Sequence, residues 1–227
     1  MKTVELQLAH PESYYEREAY NALRTNFLFC GANIKTVVFT SCLPNEGKTT
    51  VAMELAKNLA EAGKKVLFLD ADMRKSVALS RYTNQPGLSG LSQVLSGQVT
   101  PADAILQTQF PGLHVLFSGP FPPNPTELLG GETFNELLKS LAPDYDHILI
   151  DSSPLGLVVD SAVIAGRCDG AVLVINRGKT RIRTAKKVTE QIRRSGCRLL
   201  GVVFNHPTRS RVKGGSYGAY GKYAGNK

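Results

Sequence analysis

The chain has 227 residues, of which 42% are hydrophobic, so it is long enough for one domain with a sizeable core. No run approaches the ~18–20 apolar residues of a membrane-spanning helix, and residues 1–18 are too polar and acidic for a signal peptide. The formal net charge is +8, and the four cysteines and four histidines are scattered, so we expect a cytoplasmic protein with free thiols and no zinc site.

Hydrophobic patterning in chain order predicts a helix within residues 11–30, followed by alternating strands and helices. The predicted strands are residues 36–40, 65–69, 114–117, 147–150, 170–175 and 199–204. The predicted helices between them are residues 49–62, 88–95, 126–141, 160–167 and 180–195. Several strands are continuously apolar, which is typical of strands buried on both faces of a parallel sheet. The alternation predicts a doubly wound α/β domain with a mostly parallel sheet.

The chain divides into an N-terminal helical segment (residues 1–33), the α/β domain (residues 34–205) and a tail rich in Gly, Lys and Tyr (residues 206–227), which we expect to be mobile. Residues 177–227 carry fourteen Lys or Arg and a single acid. One interpretation is that this basic region binds anionic lipid, an acidic partner or nucleic acid. The alternative is that it is only a solvated helix face followed by a basic tail.

A phosphate-binding loop follows the first predicted strand of the domain. In a P-loop, backbone N–H groups surround a phosphate at a helix N-terminus, a lysine contacts the β and γ oxygens, and the next hydroxyl binds Mg²⁺. Lys48 and Thr49 fit the last two roles, although Cys42 replaces the first glycine of the usual motif. The residues predicted to bind nucleotide are Pro44, Asn45, Glu46, Gly47, Lys48, Thr49 and Thr50.

Carboxylates follow two further buried strands, at the sheet edge where ligands bind in open α/β folds. Phosphoryl transfer requires charge neutralisation and a group that accepts the proton of the nucleophile. We assign Asp70 as the base and Asp72 as a metal ligand, both catalytic with Lys48. Asp151 is typical of the Walker B position, and Thr49, Asp72 and Asp151 are the predicted Mg²⁺ ligands.

Together these motifs resemble the bacterial tyrosine kinases of capsule and exopolysaccharide operons, in the stand-alone cytoplasmic form of Gram-positive bacteria. The similarity includes Ser-x-x-Pro-x-Glu-Gly-Lys-Thr at residues 41–49, Leu-Phe-Leu-Asp-Ala-Asp-Met-Arg at 67–74 and Asp-Ser-Ser-Pro at 151–154. It continues through Pro-Asn-Pro-Thr-Glu-Leu-Leu at 123–129 and Gly-Val-Val-Phe-Asn at 201–205. The loop usually reads Pro-Gly-Glu in this family, whereas Asn45 replaces the glycine here.

The resemblance implies a P-loop NTPase fold and an ATP·Mg²⁺-dependent tyrosine kinase that regulates capsular or extracellular polysaccharide synthesis and export. It also implies a membrane adaptor whose cytoplasmic end activates the kinase at the plasma membrane, a cognate phosphotyrosine phosphatase, and no nucleic-acid partner. Asn205 falls where related folds contact adenine. The family's Glu-x-x-Arg-x-x-Arg oligomerisation motif matches at Glu18 and Arg24, with Asn21 at its central position, which implies a homo-oligomer.

The tail carries tyrosines at a spacing of three, namely Tyr217, Tyr220 and Tyr223, among several glycines. A flexible segment without hydrophobic anchoring is suited to presenting a phenol to an active site. Beside the nucleotide motifs, these tyrosines are the predicted phosphoacceptors, modified in trans. Because the tail is basic, we expect it to be attracted to an acidic catalytic cleft.

Two other functions fit parts of the sequence. A partitioning-type P-loop ATPase shares the nucleotide motifs, but Leu43 occupies the place of the extra lysine that those proteins usually carry. A non-catalytic, nucleotide-switched scaffold of a polysaccharide export complex is the other alternative. DNA binding has only the basic helix at residues 180–195 in its favour.

Overall fold

The computed structural model of the chain describes residues 2–8 and 14–205. In this part the sheet has eight strands in the order β1-β4-β5-β3-β6-β2-β7-β8, and every neighbouring pair is parallel except β4 and β5. The strands are β1 (Thr3–Val4), β2 (Thr36–Ser41), β3 (Val66–Asp70), β4 (Leu106–Thr108), β5 (Leu113–Leu116), β6 (His147–Asp151), β7 (Gly170–Asn176) and β8 (Leu199–Asn205).

Helices cover both faces of this sheet, which confirms the predicted doubly wound α/β class. They are α1 (Tyr14–Leu28), α2 (Lys48–Glu61), α3 (Ala78–Tyr82), α4 (Leu91–Leu95), α5 (Pro101–Ala104), α6 (Pro125–Gly130), α7 (Glu132–Leu141), α8 (Asp160–Ala165) and α9 (Ile182–Arg194). Within the described residues, none of these helices is long and apolar enough to cross a membrane.

The central strands form because their side chains are apolar or β-branched and are removed from water on both faces. Alternate residues of one strand enter opposite core layers: Val38 belongs to the layer beneath α6–α9, whereas Val37 and Phe39 belong to the layer beneath α1 and α2. Full burial of each such side chain contributes about 1.5–3 kcal/mol. The core therefore holds the strand ends, and the loops that follow them, in fixed positions.

Two helical predictions need correction. The predicted helix at residues 126–141 is wrong as a single element, because Gly131 has an extended backbone (φ −71°, ψ 161°) and separates α6 from α7. The helix predicted at residues 88–95 begins only at Leu91, since Gly90 is also extended (φ −147°, ψ −172°).

Strand register brings the predicted site residues together. Strand β6 lies between β3 and β2, and Asp70 of β3 is the register partner of Asp151 of β6. Phe39 of β2 is the partner of Asp151 on its other side, so the loop after β2 begins beside the same carboxylate. Three segments far apart in sequence thus reach one point on the carboxyl edge of the sheet.

Candidate active site

The loop between β2 and α2 has the conformation of a phosphate-binding turn. Gly47 has a φ of +86° and precedes α2, which begins at Lys48. Asn45 has a φ of +60°, the only positive value for a residue other than glycine in the described part of the chain, and asparagine tolerates this region better than most residues. Cys42, in place of the usual first glycine, is fully buried and needs no positive φ. This replacement therefore leaves the turn intact.

Glu46 holds the loop from within. Its buried carboxylate accepts hydrogen bonds from the backbone N–H groups of Cys42 (2.7 Å) and Leu43 (2.8 Å). The other carboxylate oxygen accepts from the backbone N–H of Asn176 (3.2 Å) and from the hydroxyl of Thr180. The side chain of Glu46 thus points into the protein, although the sequence placed this residue among the nucleotide contacts. Its carboxylate joins the loop to the segment after β7.

Asn205, at the end of β8, also contacts the loop. Its Nδ2 donates a hydrogen bond to the carbonyl oxygen of Glu46 (3.0 Å). A Cβ atom at Gly47 would lie only 1.9 Å from that nitrogen, so the close approach requires glycine there. That bond uses one of the two amide N–H groups, so the second N–H and the Oδ1 atom of Asn205 remain for the edge of a base. The predicted adenine contact stays a prediction.

Lys48 lies between two carboxylates. Its Nζ is 3.3 Å from Oδ1 of Asp151 and 3.4 Å from Oδ2 of Asp72. Burial alone would lower the pKa of Lys48, but the charges of Asp151 and Asp72 raise it, so the ammonium stays protonated. The hydroxyl of Thr49 donates to Oδ2 of Asp151 at 2.6 Å.

The donor set fits a divalent cation. Asp70, Asp72 and Asp151 are all buried, and Lys48 is the single basic side chain in ion-pair contact with them in the described residues. Burial raises the pKa of Asp151, because an ionised carboxylate loses its water. Mg²⁺ prefers carboxylate, hydroxyl and phosphate oxygens. The excess of buried negative charge, with the hydroxyl of Thr49 beside it, is the environment that such an ion would neutralise.

Asp70 and Asp72 have different surroundings. The carboxylate of Asp70 is fully enclosed and accepts from the backbone N–H groups of Asp72 (3.2 Å) and Ser118 (3.3 Å) and from the hydroxyl of Ser76. Burial, followed by the charge of Asp151, raises the pKa of Asp70 to about 7. Asp72 instead lines a cavity, where its Oδ1 accepts from the hydroxyl of Ser153 (2.7 Å). A substrate in this conformation meets Asp72 before Asp70.

That cavity has a volume of about 560 Å³. It extends from the phosphate-binding loop to the segments at residues 74–81 and 153–158. Of the residues predicted for catalysis, nucleotide binding and metal binding, those that line it are Pro44, Asn45, Gly47, Lys48, Thr49, Thr50 and Asp72. Those that do not are Glu46, Asp70, Asp151 and Asn205. Of these four, Glu46 and Asn205 form hydrogen bonds with the backbone of the loop, and Asp70 and Asp151 are the last residues of β3 and β6.

Basic side chains surround the mouth of the cavity. Arg74 makes a paired contact with Asp160 (2.6 and 3.1 Å) and donates to the hydroxyl of Thr126 (2.8 Å). Lys75 and Arg81 line the same mouth. We call these three exposed cations, Arg74, Lys75 and Arg81, the rim of the cavity. The expectation of an acidic cleft is therefore wrong for the rim and holds only for the buried carboxylates beneath it.

The predicted oligomer residues lie on α1. Glu18 is exposed and accepts from Nδ2 of Asn21 (3.0 Å). Arg24 is half-buried and donates to the carbonyl oxygen of Asn58 in α2 (3.3 Å). Arg24 thus holds its own α2, and the role of either residue between subunits stays a prediction. The predicted acceptors Tyr217, Tyr220 and Tyr223 lie outside the described residues.

Sequence reasoning missed the residues that position this site. The pair of Arg74 and Asp160 joins residues 86 positions apart, and the contact of Glu46 with Thr180 joins residues 134 positions apart. Ser153 had a signal, since it follows Asp151 in the motif after β6. The distant pairs had none, because hydrophobic periodicity carries no information on contacts between loops.

Comparison with known proteins places the chain among P-loop proteins. A family model described as an AAA domain matches residues 44–195. The chain is 42% identical to the tyrosine-protein kinase CpsD of Streptococcus agalactiae over 205 residues, which cover 90% of each protein.

Solved structures agree. The kinase domain of the Escherichia coli tyrosine kinase ETK is similar with a TM-score of 0.80 and 29% identity, over 88% of this chain and 79% of that one. The septum site-determining protein MinD from Pyrococcus horikoshii, complexed with Mg-ADP, is similar with a TM-score of 0.66 and 28% identity, over 78% of this chain and 72% of that one.

Proposed function

This chain belongs to the family of bacterial tyrosine kinases that includes CpsD, and we infer that its site transfers the γ-phosphoryl group of ATP to the phenol oxygen of tyrosine side chains. The observation that carries this inference is the convergence of Lys48, Thr49, Asp72 and Asp151 beside a cavity that the phosphate-binding loop lines. In the cell, the enzyme regulates the synthesis and export of capsular or extracellular polysaccharide.

The residues of the loop bind and orient the nucleotide. Backbone N–H groups at the start of α2 favour a phosphate, since they have no partner within the helix and lie at its positive end. Lys48 contributes a point charge to the phosphate oxygens. Thr49 and Asp151 are the proposed Mg²⁺ ligands, and their mutual hydrogen bond already places both oxygens at one point. When bound, Mg²⁺ would neutralise negative charge on the phosphate oxygens.

The phenol proton must pass to a carboxylate as the new P–O bond forms and the bond to ADP breaks. We assign the contact with the phenol to Asp72, because Asp72 lines the cavity and Asp70 does not. Asp70 accepts the backbone N–H of Asp72 and acts as a positioning residue. This proposal moves the role of proton acceptor, which the sequence suggested for Asp70, to Asp72. The role of Asp72 as a Mg²⁺ ligand stays a prediction.

The proposed partners come from the family. They are a membrane adaptor that recruits the kinase to the plasma membrane through its cytoplasmic end, a phosphotyrosine phosphatase, and further copies of this chain. Exposed Glu18 on α1 is available to another subunit. The tail tyrosines Tyr217, Tyr220 and Tyr223 are the proposed acceptors in trans. A tail of about 20 residues, at most roughly 70 Å long when fully extended, makes transfer to a neighbouring subunit as feasible as transfer in cis.

Mass spectrometry tests the proposal. The full-length protein is incubated with ATP·Mg²⁺, with and without the cytoplasmic segment of its adaptor. We expect phosphate on one or more of Tyr217, Tyr220 and Tyr223, lost in Lys48→Met and retained in Lys186→Met, a matched change on exposed α9. ATP hydrolysis without phosphotyrosine would favour a partitioning-type ATPase, and nucleotide binding without turnover would favour a scaffold.

A further inference from the structure

Two cations at the mouth of the cavity have no carboxylate partner in the described part of the chain. Lys48 is paired with Asp72 and Asp151, and Arg74 is paired with Asp160, but neither Lys75 nor Arg81 lies within ion-pair distance of an acid among the residues that the structure describes. The guanidinium of Arg81 donates to the hydroxyl of Thr50 (3.0 Å) and also interacts with the hydroxyl of Tyr82, both of which are uncharged groups. Both side chains are exposed and line the cavity. They are therefore free to bind an anion that enters with a substrate.

Apolar side chains lie beside these cations. Leu157 is 61% exposed and Val77 is 38% exposed, and both line the same cavity together with Pro154 and Val158. Exposed apolar side chains of this size next to a binding site are suited to an aromatic ring. The far side of the cavity thus combines an apolar wall for a phenol ring with two cations for a neighbouring negative charge.

We propose that Lys75 and Arg81 form a subsite for a phosphotyrosine of the acceptor peptide, next to the tyrosine that is being modified. This deepens the proposed kinase function and depends on it. Arginine suits this role because its planar group binds phosphate through two parallel hydrogen bonds. In an extended segment the spacing of three residues between Tyr217, Tyr220 and Tyr223 separates the Cα atoms of neighbouring tyrosines by about 10 Å. One phosphorylated ring then occupies the rim while its neighbour enters the cavity.

The subsite affects the order in which the tail tyrosines are phosphorylated. Residues 206–227 contain five Lys or Arg and no acid, so the unmodified tail carries the same charge as the rim. A phosphotyrosine adds about −1.5 to −2 charges at pH 7. The first transfer to a cluster is therefore slow, whereas each later transfer is assisted by the phosphate already present. The three tyrosines are therefore phosphorylated cooperatively.

Peptide binding tests the subsite without requiring turnover. The probe is a labelled peptide of residues 214–224, either unmodified or phosphorylated at Tyr220 alone, and fluorescence anisotropy measures its Kd for the dephosphorylated full-length protein with ADP·Mg²⁺. We expect the phosphate to tighten binding about tenfold, as charge-assisted hydrogen bonds allow. Arg81→Ala and Lys75→Ala should each remove most of this gain, and Lys186→Ala on α9 should retain it.

Equal Kd values for the two peptides, or a phosphate effect that survives in both rim variants, would overturn the proposal. So would weaker ATP binding in Arg81→Ala with unchanged peptide discrimination, because the rim would then serve the nucleotide. A kinetic arm separates this inference from the kinase function. If adaptor-activated enzyme modifies both peptides at equal rates, the subsite fails and the kinase stands. If it modifies no peptide, tail or added protein, the kinase function itself fails.

Discussion

Two strand-end carboxylates, Asp70 and Asp151, lie in register and bury their charges side by side. Burial raises the pKa of both groups, and for Asp70 the neighbouring charge of Asp151 raises it further, to about 7. Lys48 offsets part of this charge through its contact with Asp151. At neutral pH without ligand, the site is therefore short of positive charge, which favours cations and disfavours a lone anion.

The division of work between Asp70 and Asp72 can be tested by paired variants. We expect Asp72→Asn to lower kcat by about 10²–10⁴-fold, since loss of a positioned proton acceptor costs this much. Asp70→Asn should lower kcat less, because the amide oxygen of the new side chain can still accept the backbone N–H of Asp72. The measurement is initial-rate tyrosine phosphorylation between pH 6 and 9, and a larger loss in Asp70→Asn with a flattened pH profile would restore Asp70 as the base.

The carboxylate of Glu46 offers a second test at single-residue scale. In Glu46→Gln one acceptor oxygen becomes an NH₂ group that faces existing donors, either Cys42 and Leu43 or Asn176 and Thr180. We expect the free energy of unfolding to fall by about 1–3 kcal/mol and the Kd for ATP to rise, measured by urea unfolding and calorimetry. Glu190→Gln, exposed on α9, is the matched control, and equal effects of the two changes would contradict the role of Glu46.

At the scale of elements, strong periodic patterns predicted the sheet well. Each of the six predicted strands is present within one or two residues, because runs of apolar and β-branched residues are typical of strands, including the edge strand β8. Strands β1 and β4 were missed, since two or three residues are too few to show a period. The break at Gly131 was missed as well, because the apolar spacing of α6 and α7 continues across it.

The candidate site was predictable to the extent that its residues follow strands in recognisable motifs. Lys48, Thr49, Asp70, Asp72 and Asp151 converge as parallel strand ends must. Which carboxylate faces the cavity was not predictable, since it depends on the turn after Asp70 and on hydrogen bonds from distant residues. The cationic rim was missed for the same reason.

Helix α1 gives a prediction about assembly. Asn21 occupies the central position of the family's oligomerisation motif, and its Oδ1 accepts a long hydrogen bond from Asn58 of α2 (3.4 Å). We expect Asn21→Arg, which completes the motif, to strengthen self-association in sedimentation velocity, and Glu18→Ala to weaken it. Thr133→Arg, at an exposed position of α7, is the control for added charge. If Asn21→Arg and Thr133→Arg sediment alike, α1 does not form the subunit contact.

At the scale of the whole molecule, the active-site carboxylates oppose the stability of the unliganded fold. The pKa of Asp70 is about 7 in the folded protein, whereas that of an aspartate in an unfolded chain is about 3.9. Between these values the folded state binds the extra proton, so its stability is highest at low pH and falls by up to about 1.4 kcal/mol per pH unit as the pH rises toward 7. The pair of Asp160 and Arg74 has the opposite effect. Burial alone would raise the pKa of Asp160, but the hydrogen bonds from Arg74 and Thr126 lower it below the pKa of an unfolded aspartate. The pair therefore stabilises the fold at neutral pH, and this stabilisation is lost only in acid, below the unfolded pKa.

Urea unfolding at pH 5, 6, 7 and 8 measures the contribution of Asp70 separately from that of the pair of Asp160 and Arg74. We expect the free energy of unfolding of the unliganded protein to decline from pH 5 to 7, and Asp70→Asn to remove much of that decline. Asp144→Asn, at an exposed position, should retain the decline. A parallel pH dependence in Asp70→Asn and the parent would show that Asp70 is not the group responsible. Saturating ADP·Mg²⁺ should stabilise the parent most above pH 7, because there the added cation meets the full negative charge of the strand-end carboxylates.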